Sequence, residues 1–145
     1  MFLDFFTFSN ISNIASISSL IISIITLYLI KGIKNKFLFR VNINSSITKI
    51  RNISSELVVL LGDFTNNKND IEEKLKMLEV IVRNLKKGAD NKNLIKNFKS
   101  ISDEINQYFS QKMNKNEEFV RNTRLSIVTI LEELKFEKEN IKVGK

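Results

Sequence analysis

The chain has 145 residues and a formal net charge of +7, with no proline, cysteine, tryptophan or histidine and only four glycines. That composition excludes a disulfide framework, thiolate or histidine metal sites, and any chemistry run by a histidine base or a cysteine nucleophile. Scarce proline and glycine favour long helices with few turns, and the length allows one domain plus an anchor.

The first ten residues, MFLDFFTFSN, form an aromatic segment in which Phe2, Phe5, Phe6 and Phe8 surround Asp4. Aromatic rings are favoured at a membrane–water interface, and that is the place expected for residues 1–10. Asn13 to Ile30 then reads NIASISSLIISIITLYLI, free of charge until Lys31. At 1.5 Å per residue this run spans roughly 27 Å, close to the ~30 Å hydrocarbon core of a bilayer. A transmembrane anchor with its basic juxtamembrane flank is expected over 11–39. A cleaved signal is disfavoured: no Lys or Arg precedes the run, and Lys31-Gly32-Ile33-Lys34 is not a small-x-small cleavage site.

Lys31, Lys34, Lys36 and Arg40 follow the run, and no acidic residue lies between Asp4 and Glu56. Positive flanks stay cytoplasmic, so the expectation is an inner-membrane protein with its N-terminus outside and its domain inside. The same four cations are the candidate contacts to anionic lipid. Within the run, Ser12, Ser16, Ser19, Ser23 and Thr26 are spaced 4, 3, 4, 3. Small hydroxyl residues on one stripe let helix backbones approach in lipid, which makes these five the candidate self-association seam. The bland alternative is that each hydroxyl bonds back to its own helix.

Four amphipathic segments follow, over an expected cytoplasmic bundle at 42–140. The first carries Ile43, Ile47, Ile50, Leu57, Leu61 and Phe64, with Ser54 at one expected position. The second carries Ile71, Leu75, Leu78, Val82 and Leu85. The third carries Leu94, Phe98, Ile101, Ile105 and Tyr108, widened by Phe109. The last carries Val120, Ile127, Leu131 and Leu134, supported by Phe119 and Ile130. Asn66-Asn67-Lys68-Asn69 predicts a turn in which Asn69 caps the second helix, with Glu72 and Glu73 in its first turn. Lys86-Lys87-Gly88 predicts its end, Asn114-Lys115-Asn116 the next break, and residues 141–145 a frayed tail. Val41-Asn42-Ile43-Asn44-Ser45 is poor helix material and favours a kink with a fresh N-cap at Asn44 or Ser45; the alternative is a continuous helix of some fifty residues, because the Ser12-to-Thr26 stripe extrapolates onto Ile47, Ser54 and Leu61.

The fold class expected is therefore all-α: a single N-terminal transmembrane helix followed by an antiparallel bundle of three to four amphipathic helices. Seven-residue spacing also permits a coiled coil between molecules, but short connections favour packing within one chain. Adjacent carboxylates at Glu72-Glu73, Glu117-Glu118 and Glu132-Glu133 point about 100° apart and do not converge on a substrate. No catalytic, metal or cofactor site is expected, and no small-molecule substrate is evident.

Lys74, Lys76, Arg83, Lys86, Lys87, Lys92, Lys96 and Lys99 give the middle helices a basic field. It is interspersed with acids and lacks interleaved aromatics, so nucleic acid is disfavoured as a partner. The partners expected are membrane lipid and either a second copy or another helical protein. The function expected is a non-enzymatic, self-associating, membrane-anchored interaction or scaffold protein. The alternative is a small toxin-like or holin-like effector that oligomerises and permeabilises the bilayer, with the bundle as sensor or restraint.

Overall fold

The computed structural model describes residues 8–110 and 116–143, with side chains over 13–110 and 116–142. Phe2, Asp4, Phe5 and Phe6, the side chains of Phe8 and Ser12, and the polar break at Asn114-Lys115 lie outside the described part. Among the described residues there are four α-helices, α1 (Phe8–Leu60), α2 (Lys68–Lys86), α3 (Lys92–Ser110) and α4 (Glu117–Val143), and no strand. The contacts divide the chain into two units, Met1–Asn35 and Lys36–Lys145.

The second unit is an antiparallel helical bundle whose core is a single cluster. Each sequence stripe supplies one wall: Ile43, Ile50 and Leu57 from α1, Ile71, Leu75 and Leu78 from α2, Phe98, Ile101 and Ile105 from α3, and Val120, Ile127 and Leu134 from α4. Direction is read from the pairs that join the helices. Lys36 meets Asp90 at 3.0 Å and Glu56 meets Lys74 at 2.6 Å, so α2 descends as α1 rises. Asn91 donates to Glu137 at 3.4 Å, Asn97 to Glu133 at 2.7 Å and Ser126 to Glu104 at 3.3 Å, so α4 descends along α3.

Three core residues escaped the sequence stripes. Phe39 and Ile53 of α1 are buried, and Thr123 of α4 occupies the gap between Val120 and Ile127. Its hydroxyl donates to the Phe119 carbonyl at 3.0 Å, so a polar group sits in the core with its donor satisfied.

The local boundaries correct several expectations. The helix runs through Val41–Ser45 without interruption, so neither Asn44 nor Ser45 starts a new one. The reason is tertiary: Phe39 and Ile47 lie on either side of the weak stretch and Ile43 within it, and all three bury into the same core, which outweighs local propensity. Likewise α2 begins at Lys68, so Asn69 is inside the helix and its flanking cap residue is Asn67, which makes no side-chain cap bond. The Asn67 amide instead donates 3.1 Å to the Leu60 carbonyl and ties off the end of α1. Asp70 is then the acid of the first turn, with Glu72 and Glu73 one turn later.

Two caps form by side chain. Asn91 accepts from the backbone N–H groups of Asn93 (2.9 Å) and Leu94 (3.3 Å) to open α3, and Asn116 accepts from Phe119 (2.9 Å) to open α4. At the other end α4 continues to Val143, past the expected fraying at Ile141, because Ile141 packs partly against the core.

Candidate functional site

The first candidate site is the apolar run at the start of α1. A window within this helix has a mean hydropathy of 2.0 and none of it is buried by other parts of the chain. Large side chains from Ile14 to Ile30 are between 52% (Ile21) and 78% (Tyr28) exposed. This is one helix, near the N-terminus, long and apolar enough to cross a membrane. Serine and threonine are tolerated there because a helix offers their hydroxyls a carbonyl one turn back. Ser18 donates to Ile14, Ser23 to Ser19 and Thr26 to Ile22, each at 2.8 Å. For Ser23 and Thr26 of the seam the donor is therefore used within the helix, which leaves small size and acceptor lone pairs as what these residues can offer a neighbouring helix. Ser16 and Ser19 are exposed on the same stripe.

The second candidate site is the basic flank. Lys31, Lys34 and Arg40 are exposed, and among the described ion pairs none involves them. Lys36 differs: it pairs with Asp90 in the α2–α3 turn and anchors that turn to α1. Phe37 and Val41, which flank these cations, are 63% and 58% exposed.

The remaining basic residues separate by their surroundings. Lys74 is held by Glu56, whose hydrogen bond pushes the ammonium pKa up, and Arg83 pairs with Glu79 at 3.7 Å. Lys76 lies 5.2 Å over the Phe109 ring, a cation–π contact that spans α2 and α3. These three are occupied within the bundle. Lys86, Lys92, Lys96 and Lys138 make no ion pair among the described residues.

The up-and-down topology sorts the charges by end. At the base, the end that carries Lys36, segments 36–40, 86–96 and 135–142 hold nine cations and three carboxylates. At the far end, segments 61–73 and 117–121 hold two cations and six carboxylates. For α2 and α4 the helix dipole accounts for this order, with Asp70, Glu117 and Glu118 in first turns and Lys86 and Lys142 in last turns. Helix α3 runs the other way and has no acid in its first turn and no base in its last. Lys92, Lys96 and Lys99 crowd its positive end while Asp103 and Glu104 lie in its second half. Sequence reading grouped the α2 and α3 lysines but not Lys135, Lys138 and Lys142, because only the fold brings the end of α4 level with Asn91.

A groove of about 550 Å³ lies between α1 and α2, lined by Ile53, Met77, Val80 and Ile81 with Lys49 and the Lys74–Glu56 pair at its rim. The acidic pairs do not converge: Glu132 bonds Lys135, Glu133 accepts from Asn97, and Glu117 pairs with Arg121. Among the described residues no group of three metal-ligating side chains comes together. Comparison with protein-family models, with curated proteins and with solved structures gives no match to this chain.

Proposed function

We propose that this chain is a single-pass inner-membrane protein, N-terminus outside, that presents a cytoplasmic helical bundle as a non-enzymatic interaction module and self-associates through its anchor. One observation carries the reading: an apolar run long enough to span a bilayer remains wholly uncovered, although the remaining chain buries a complete core of its own. In water such a run exposes far more contiguous apolar surface than a soluble monomer tolerates, and lipid is the solvent that relieves it. The uncompensated cations after Ile30 support the orientation. The stripe of Ser16, Ser19, Ser23 and Thr26 supports self-association, through close approach instead of hydroxyl donation.

The test has two arms. The full chain mixed with vesicles floats with lipid and resists alkaline extraction, and a cysteine placed before residue 10 is labelled from outside the cell. Recovery in the soluble fraction contradicts the anchor; labelling only after lysis contradicts the orientation. Replacing Ser16, Ser19 and Ser23 together by Leu lowers the signal of a membrane two-hybrid assay about tenfold, the cost of about 1.4 kcal/mol of helix–helix contact. An unchanged signal removes the seam.

The effector alternative draws on the same hydroxyl stripe, with the oxygens lining an oligomeric pore. It requires membrane depolarisation on expression. A dye signal that stays flat at high expression excludes it.

A further inference from the structure

We propose that the base of the bundle is a second lipid-docking surface, in which the α2–α3 turn, the start of α3 and the end of α4 bind anionic headgroups alongside the juxtamembrane flank. The proposal rests on the anchor reading above and adds to it residues far from the anchor in sequence: Lys86, Lys87, Lys92, Lys96 and Lys138.

Three observations converge. First, α3 carries Lys92 in the first turn, where its own dipole disfavours a cation, with Lys96 one turn on, and neither makes an ion pair among the described residues. Local helix electrostatics and internal pairing thus leave these exposed ammonium groups available to an anionic surface. Second, two of the three carboxylates at the base are already paired, Asp90 with Lys36 and Glu139 with Lys142, and Glu137 accepts from the Asn91 amide, so the cations of these segments outnumber the acids left to meet them. Third, the base carries exposed apolar side chains beside its cations: Phe37, Leu38 and Val41 on α1, and Phe136, 66% exposed, on α4. Lysine beside exposed aromatic and aliphatic groups fits a headgroup layer, which takes the ammonium groups at phosphate level and the apolar groups just beneath. A duplex nucleic acid offers nothing to those apolar groups.

Tethering makes the docking local. Five residues lie between Ile30 and Lys36, and even fully extended that stretch reaches only about 20 Å. Once the apolar run is inserted, the base therefore stays within reach of the same leaflet in any conformation of the connection. Each cation near an anionic surface multiplies the docked population about fivefold, so a few suffice to hold the bundle down.

Since the chain has no cysteine, single labels report cleanly. The full-length protein is reconstituted in nanodiscs of phosphatidylcholine alone or with about 30% phosphatidylglycerol, the anionic case. An environment-sensitive fluorophore is placed at the base by Asn93→Cys or at the far end by Asn69→Cys, both exposed positions. A headgroup-attached quencher reports proximity. The expected result is quenching at position 93 at least about fivefold stronger in anionic than in neutral discs, no composition dependence at position 69, and return to the neutral-disc level near 0.5 M salt, where the Debye length is about 4 Å. The triple charge reversal Lys87→Glu, Lys92→Glu and Lys138→Glu abolishes the dependence at position 93, with helicity by circular dichroism unchanged.

Equal quenching in both discs overturns the docking while leaving the anchor standing. A chain that fails to enter neutral discs overturns the anchor, and the docking with it. A position 93 signal that shifts with short duplex DNA but not with anionic discs reassigns the surface to nucleic acid and overturns the lipid proposal.

Discussion

Tyr108 shows how one residue reports on the whole core. Its ring is 1% exposed, and it packs beside Phe109 (5.4 Å between centroids, edge-on) and Phe119 (5.6 Å). Burial pushes its hydroxyl pKa up to about 12, with the nearby Glu72 charge adding in the same direction. Folding thus favours the protonated phenol, while the unfolded chain loses that proton near pH 10. The stabilisation is complete below about pH 10 and is lost as pH rises towards 12, a fall of roughly 2 kcal/mol. Urea unfolding at pH 9 and pH 11.5 is expected to show this loss in the parent chain and to show it much reduced in Tyr108→Phe, which keeps the packing. A parallel loss in both proteins would place the titration elsewhere. At neutral pH, Phe98→Ala is expected to cost about 3–5 kcal/mol in the same unfolding assay, because the ring is wholly buried between helices.

At the scale of elements, the four apolar stripes were legible because a helix must bury one face and no other, and spacing alone identifies that face. What stayed hidden had a residue-level cause. Phe39 sits in an apolar neighbourhood with Phe37 and Leu38, where nothing in sequence separates lipid-facing from core-facing groups. Thr123 is polar by type and is recognisable as core only once the Phe119 carbonyl is seen to accept its proton. The boundary near Asn44 misled for the opposite reason: cap chemistry was present locally but the core on both sides overrode it. Ser45→Pro separates the two cases. A helix starting after Asn44 tolerates proline at its first position, whereas an uninterrupted α1 loses a hydrogen bond and gains a clash, a cost of about 3 kcal/mol or more. Circular dichroism across a urea series is expected to show the larger cost. An unchanged midpoint would restore the break.

Across the whole molecule, α1 between Phe39 and Leu57 is as much a wall of the core as the three helices that follow. Ile50→Ala is therefore expected to destabilise all four helices together, by about 2–5 kcal/mol, in a single transition seen alike by far-ultraviolet dichroism and tyrosine fluorescence. A first step that loses only α1 signal would show instead that α2–α4 stand alone. Of the candidate sites, the apolar run and its basic flank were legible as sequence because contiguity defines them. The base was not, because its cations come from three separate stretches that only an up-and-down fold gathers at one end.

That polarity of charge constrains how copies meet. Two bundles side by side in the same direction set basic end against basic end and acidic end against acidic end. Sideways approach is then opposed along the full length of the pair, strongly at low ionic strength. An inverted pair sets each basic end against an acidic one. Dimers of the bundle that strengthen as salt is withdrawn are thus of the head-to-tail kind, and same-direction pairs are the ones that salt promotes.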